Sequence, residues 1–156
     1  MTYQAIFSAP FGKLGIRCTG AALLGIDFLS PGEPEQAPST PFAVRVCAQL
    51  QTYFADPDFV FDLPLALQDT PHRLKVWQAM RAIPCGQVRT YGELAIALGS
   101  SPRAVGQACG ANPIPVVVPC HRVVGKAGLG GFMHHAQGAP LDIKYWLLRH
   151  ERVLHE

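Results

Sequence analysis

Five cysteines, at positions 18, 47, 85, 109 and 120, supply the strongest nucleophiles in the chain. Their number is odd, their spacing is irregular, and no Cys-x-x-Cys pair nucleates a zinc site. One of them sits differently from the rest. Cys120 lies in the run Pro119-Cys120-His121-Arg122-Val123-Val124, after the apolar Val116–Val118 and among prolines that restrict the backbone. A thiolate is the attacking species, and cationic or hydrogen-bonding neighbours lower a thiol's pKa. His121, Arg122 and Lys126 are close in sequence. Adjacent side chains in an extended segment point to opposite sides. His121 therefore reaches the sulfur only through a turn or a bridging water, and a third group, Glu151 or His150, must orient it. Taken alone, a Cys-His pair is more often a buried inert thiol beside a surface histidine.

The elements that must position these residues are readable from pattern. Thr70-Pro71 starts a helix, with Thr70 as cap and Pro71 in the first turn. Leu74, Trp77 and Met80 form its core face, and Pro84-Cys85-Gly86 ends it. Thr90 followed by Glu93 is a capping box, Leu94 and Leu98 give an apolar face, and Gly99 ends that helix. A second helix runs from Pro102 to about Gly110, so the two make a helix-turn-helix, a unit that often binds DNA. Its second helix is thin: Ala104, Gly106, Ala108 and Gly110 are small, and Arg103 is its long side chain. Small residues plus one arginine suit a narrow target such as the minor groove. Pro140–Glu151 reads as a closing helix with Ile143 and Leu147 on one face.

The first half carries no such chemistry. Tyr3–Ser8, Leu14–Cys18 and Leu23–Leu29 read as a small antiparallel meander. A loop follows from Pro31, and Phe42, Val46, Leu50 and Phe54 mark a helix that stops before Asp56-Pro57. Asp56–Gln68 reads as a connector. The expected domains are thus an α+β scaffold over 1–68 and a helix-turn-helix domain over 69–156.

Charge divides along the same line. Residues 1–68 hold 3 Lys/Arg against 6 Asp/Glu, and residues 69–156 hold 10 against 5, with all six histidines. A basic half suggests a polyanionic partner, although a solvated basic face explains it about as well. About half of the 156 residues are apolar, enough for a core. No apolar stretch reaches the roughly 18 residues of a membrane span, and the N-terminus lacks the features of a signal peptide. The expected compartment is the cytoplasm, where thiols stay reduced.

Asn112-Pro113-Ile114-Pro115 followed by Pro119-Cys120-His121-Arg122-Val123-Val124 resembles the active-site signature of O6-alkylguanine-DNA alkyltransferases. The resemblance extends over Thr70-Pro71, Val76-Trp77, Thr90–Ala95, Arg103–Gly106 and Trp146–Glu151, and more loosely over Pro10–Leu14. It implies a fold in which a small N-terminal antiparallel sheet plus helix, ribonuclease H-like, packs on a mainly helical C-terminal domain of winged helix-turn-helix type. It implies that Cys120 accepts the alkyl group, that His121 takes its proton through a water, and that Glu151 orients His121. Tyr91 would donate to N3 of the guanine, and Asn112 would brace the turn carrying Cys120. Arg103, with Ala104, Gly106 and Tyr91 on the same DNA-binding unit, would enter the base stack as the target base is flipped. Cys109, Pro115, Val123 and Phe132 match pocket-lining positions. The reaction implied is single-turnover and cofactor-free, on double-stranded DNA, by a monomer.

Two departures from the family pattern stand out. Phe132 replaces a tyrosine, and the loop up to Pro140 carries about four extra residues. The turn between the paired helices is about two residues shorter than in many relatives. His134 and His135 read as exposed loop residues, and Cys18 and Cys47 are the only soft ligands in the first half, so no metal is expected. The competing readings are an alkyltransferase-like lesion sensor, against which Cys120 argues, and an unrelated helix-turn-helix regulator, which leaves Tyr91, Asn112 and Cys120 unexplained.

Overall fold

Three strands, β1 (Ala5–Ala9), β2 (Gly12–Cys18) and β3 (Leu23–Leu29), form an antiparallel meander in a computed structural model that describes residues 2–128, 130 and 139–154. Ala5 faces Ile16 across β1 and β2, and Ile16 faces Ile26 across β2 and β3. The register slips by a bulge at Arg17/Cys18. Leu14, Ile16, Leu23 and Ile26 are buried beneath the helix α1 (Pro41–Ala55). Thr40 caps α1 by accepting from the Ala43 amide. Its buried face is Phe42, Ala43, Val46, Leu50 and Tyr53, so the stripe closes on Tyr53 while Phe54 stays half-exposed.

The segment expected to be a connector is part of this first unit. The Leu23 amide donates to Pro64 O and the Ala66 amide to Leu23 O, which adds a bridge alongside β3 and buries Leu63. The chain divides into compact units at residues 1–67 and 68–156.

The second unit is mainly helical. In α2 (Pro71–Arg81) Thr70 caps the helix, and Val76, Trp77 and Met80 are buried, with Leu74 only half-buried. Trp77 Nε1 donates to Ala108 O at 2.8 Å, tying α2 to α4 (Pro102–Gly110) in the core. The helix α3 (Tyr91–Leu98) starts at the capping box of Thr90 and Glu93 and stops at Gly99, whose φ of +64° is the left-handed conformation a C-terminal glycine provides. Ser101 caps α4, and His72 Nε2 meets Ser100 Oγ at 2.7 Å, holding the turn between α3 and α4 against the start of α2.

Two short strands, β4 (Arg89–Thr90) and β5 (Val123–Val124), pair in parallel. Two-residue strands have no periodicity to read, so no local pattern marks them. The pairing has a structural consequence: it brings the residue before Tyr91 beside the segment that follows Cys120. The last helix, α5 (Ala139–His150), buries Lys144, Leu147 and Leu148, while Ile143 is half-buried. Among the described residues no helix is long and apolar enough to cross a membrane.

Candidate active site

Cys120 begins a single 3-10 turn, Cys120–Arg122, at the end of a tightly folded loop. Val116–Val118 is buried as expected but is not extended. The Val118 amide donates to Ile114 O, and Val116 takes φ +75°, a conformation rare for a β-branched residue. Such a backbone costs on the order of 1–3 kcal/mol and persists only when its surroundings fix it. Asn112 does the fixing. Its Nδ2 donates to Val118 O at 2.8 Å, its Oδ1 accepts from the Ile114 amide at 2.9 Å, and the residue is buried. The Cys120 amide then donates to Val118 O, so Asn112 and Cys120 share one carbonyl.

The turn places His121 in the interior beside Glu151. His121 is fully buried, not a surface residue, and its Nε2 lies 2.8 Å from Glu151 Oε2. Of the two orienting candidates Glu151 meets it, and His150 stacks on the Trp146 ring. Arg122 closes on the same carboxylate, Nε to Oε1 at 2.8 Å and Nη2 to Oε2 at 3.0 Å, while its Nη1 donates to Ile83 O. Burial alone would raise the Glu151 pKa, but His121 and the Arg122 fork outweigh it and hold the carboxyl well below the usual carboxylate range. Burial lowers the His121 pKa, with Glu151 opposing. A neutral His121 beside an ionised Glu151 carries its proton on Nε2. Its Nδ1 is then an acceptor, and this buried atom has no partner among the described residues.

Cys120 is itself buried, and burial pushes its thiol up to about 11, with the Asn112 side chain and then Lys144 pulling the other way. The cations near it in sequence are not its electrostatic neighbours: Arg122 is engaged by Glu151 and Lys126 is exposed. The buried cation is Lys144, a residue to which the sequence assigned nothing. Its Nζ donates to Val123 O at 2.8 Å and lies 6.0 Å from the centre of the Tyr91 ring. Burial lowers its pKa to about 8, and the thiols Cys120 and Cys109 are the groups that favour its charge. A signal existed: Lys144, Leu148 and Glu151 follow one another at helical spacing on the face of α5 that also carries Leu147.

Tyr91 lies between two glycines. A Cβ on Gly106 of α4 would stand 3.9 Å from its ring, an ordinary contact, whereas one on Gly130 would stand 2.7 Å from it, and Gly130 has φ +72°. The backbone at residue 130 therefore approaches Tyr91 as only glycine permits. The DNA-binding candidates Tyr91 and Gly106 are thus together, with Ala104 half-buried and Arg103 exposed in the first turn of α4. Of the pocket candidates, Pro115 and Val123 are buried. Cys109 is buried with its Sγ 3.4 Å from Met80 Sδ, and burial pushes its thiol up to about 12. Phe132 and the pair His134 and His135 lie outside the described residues.

Fold and site together define a two-unit α/β protein that holds the buried thiol of Cys120, a buried histidine–carboxylate pair and a helical hairpin in the same unit. Residues 71–153 match the family model of the 6-O-methylguanine DNA methyltransferase DNA-binding domain. A methylated-DNA–protein-cysteine methyltransferase described as constitutive, from Bacillus subtilis, is 40% identical over 98% of this chain and 97% of its own length. One of the same name from Salmonella typhimurium is 53% identical over 68% of this chain and 61% of its own. The crystal structure of Mycobacterium tuberculosis OGT in complex with DNA superposes with a TM-score of 0.79 at 34% identity, covering 94% of this chain and 91% of that one. The chain belongs to the 6-O-methylguanine DNA methyltransferase family.

Proposed function

We propose that this chain repairs alkylated DNA by moving a methyl or other alkyl group from O6 of guanine, or O4 of thymine, onto Cys120. The observation that carries this reading is the buried set of Cys120, Asn112, His121 and Glu151 in a chain of this family. The Cys120 proton passes to His121 Nδ1, directly or through a water, and Glu151 holds the ring for that transfer. Sulfur attacks the alkyl carbon, the carbon–oxygen bond breaks, and the base leaves as its anion. Tyr91 gives that anion a proton at N3 and is reprotonated from the His121 side, so guanine is restored and the alkyl group stays on sulfur. Lys144 supplies positive charge where the thiolate forms.

The product is a thioether, which water does not hydrolyse, so each molecule acts once. Nothing in this sequence of steps uses a cofactor. The second unit, of winged helix-turn-helix type, docks as a monomer in the minor groove of double-stranded DNA. Arg103 enters the stack in place of the flipped nucleotide, and Ala104 and Gly106 let α4 approach closely. Cys109, Pro115, Val123 and Phe132 surround the extruded base. Residues 1–68, of ribonuclease H-like type, serve as scaffold. A reduced thiol suits the cytoplasm.

Incubation with excess DNA containing O6-methylguanine should plateau near one methyl per chain. The Cys120 peptide should gain one methylene, and Cys120→Ser should gain none. Sustained turnover, or tight binding without a mass change, would overturn the assignment, the latter in favour of a lesion sensor.

A further inference from the structure

The Glu151 carboxylate is shared. Oε2 faces His121 Nε2 at 2.8 Å and also accepts from Arg122 Nη2 at 3.0 Å, while Oε1 accepts from Arg122 Nε at 2.8 Å. This fork is bidentate, the arrangement in which guanidinium binds carboxylate best. Arg122 is further anchored on Ile83 O at 2.6 Å, so the fork is fixed from both sides. Both oxygens of Glu151 are thereby engaged by donors, and its charge is matched by the arginine and not by the histidine.

We propose that Arg122 is a positioning residue that decides which nitrogen of His121 carries the proton, and so keeps Nδ1 available as the base. The inference rests on the reading of His121 as the base for Cys120. The charge count gives the reason. With Arg122 present, an ionised Glu151 and a neutral His121 leave the buried trio uncharged overall. Without it the pair would hold one net negative charge in a desolvated site, and it would take up a proton. That proton has two destinations. On the imidazole it makes imidazolium, protonated at both nitrogens. On Glu151 it makes a carboxylic acid that donates to Nε2, and the neutral ring must then carry its own proton on Nδ1. Either way Nδ1 loses its lone pair and cannot accept from the thiol.

Among the described residues, Arg122 is the cation seen to fork onto the carboxylate that faces His121. Lys144 of α5 disfavours the imidazolium, as Arg122 does, and its Nζ donates to Val123 O. Cys120 adjoins it, and the thiol holds its proton. From α2, which packs on the 3-10 turn, the buried residues are the apolar Val76, Trp77 and Met80, and the charged Lys75 and Arg81 are exposed.

Two measurements test this. Two-bond proton–nitrogen correlations on protein labelled in histidine report the His121 tautomer without any reaction. At pH 7 the parent should carry its proton on Nε2 alone, and Arg122→Gln should carry one on Nδ1. The single-turnover rate of methyl transfer against pH supplies the second readout. Its acid limb should move up by about one pH unit or more in Arg122→Gln, the size expected when a close buried charge is removed, and the rate should recover towards the parent's as pH rises. Arg122→Lys keeps the charge and should keep the limb near its parent position.

The proposal is overturned if the parent protein already carries a proton on Nδ1, a result that needs no variant. It is also overturned if Arg122→Gln lowers the rate with tautomer and acid limb both unmoved, which is what a purely structural arginine would do. His121→Gln separates this from the reading beneath it. If that variant keeps the acid limb, His121 is not the base, while the tautomer measurement still decides the role of Arg122.

Discussion

The two compact units place their polar groups in opposite ways. In residues 1–67 the main ion pair, Arg17 with Asp27, stays 28% and 30% exposed, and Tyr3 joins it through a bond to Asp27. The buried interior there is mainly aliphatic with Phe42 and Tyr53, and half-exposed Phe7, Phe11 and Phe54 pack beside it. In residues 68–156 Asn112, His121, Lys144 and Glu151 are all buried, and among the described residues they are the only polar side chains that are. An exposed ion pair is worth little either way, whereas burying charged groups costs several kcal/mol that their attraction only partly returns. Stability therefore explains the first unit and does not explain the second. Groups kept in the interior against that cost are the candidates for the chemistry of the site.

The contrast can be broken by removing one carboxylate from each unit. Glu151→Gln leaves Arg122 and His121 without their anion and should destabilise the protein by about 3–5 kcal/mol. Asp27→Asn, at a half-exposed pair, should cost less than about 1 kcal/mol. Urea unfolding of both variants checks this, and equal costs would erase the distinction. Acid should separate the units next. His121 and Glu151 both have folded pKa values below their unfolded ones of 6.5 and 4.5. Their contribution is therefore present above those values and lost as pH falls, first below about 6.5 and then below about 4.5, because the unfolded chain takes up protons that the fold resists. The shifted groups of the first unit, Tyr3, Cys18 and Cys47, are raised from 10.0, 9.0 and 9.0, so they cost stability only as pH rises past those values. Amide exchange at pH 5.5, corrected for intrinsic rates, should accelerate in α2, α4 and α5 relative to pH 7.5 and stay constant in β1–β3.

The same contrast governs what the sequence could disclose. The meander, α1 and the capped helices α2, α3 and α4 were legible because each follows from local rules: alternation, an apolar stripe, a Thr or Ser cap, a terminal glycine. Cys120, His121, Asn112 and Glu151 were legible only as a motif, since adjacency alone argued for an inert thiol. The turn that makes the pair workable depends on Val116 at positive φ, and nothing local favours that for valine. Lys144 and Arg122 escaped for a different reason. Their roles come from burial against partners 21 and 29 residues away, Val123 and Glu151, and a basic residue in a basic half reads as solvated. Of the face expected on α5, Leu147 is buried, whereas Ile143 is half-buried and Lys144 takes the buried place beside it. The β4–β5 pairing and the docking of residues 64–66 on β3 are non-local and too short to carry a pattern.

Smaller effects sharpen the comparison within the second unit. Lys144→Met removes the buried ammonium while keeping most of the side chain's volume. If the cation serves the thiolate, single-turnover transfer should slow by about tenfold, equivalent to about 1.4 kcal/mol of lost charge stabilisation. The unfolding midpoint should fall little or rise, because the fold no longer desolvates a charge. A lower midpoint with an unchanged rate would make Lys144 a prop for Val123 O and nothing more.

Gly106→Ala should give the smallest change and the most specific one. The added Cβ meets the Tyr91 ring at 3.9 Å, an ordinary contact, in the interior of α4. Alanine there should stabilise the protein by about 0.5–1 kcal/mol through helix propensity. If α4 keeps its small residues for close approach to DNA, the same variant should bind duplex DNA severalfold more weakly, measurable by fluorescence anisotropy at fixed salt. Greater stability with undiminished binding would mean that the thin face of α4 packs against Tyr91 alone and does not touch the duplex.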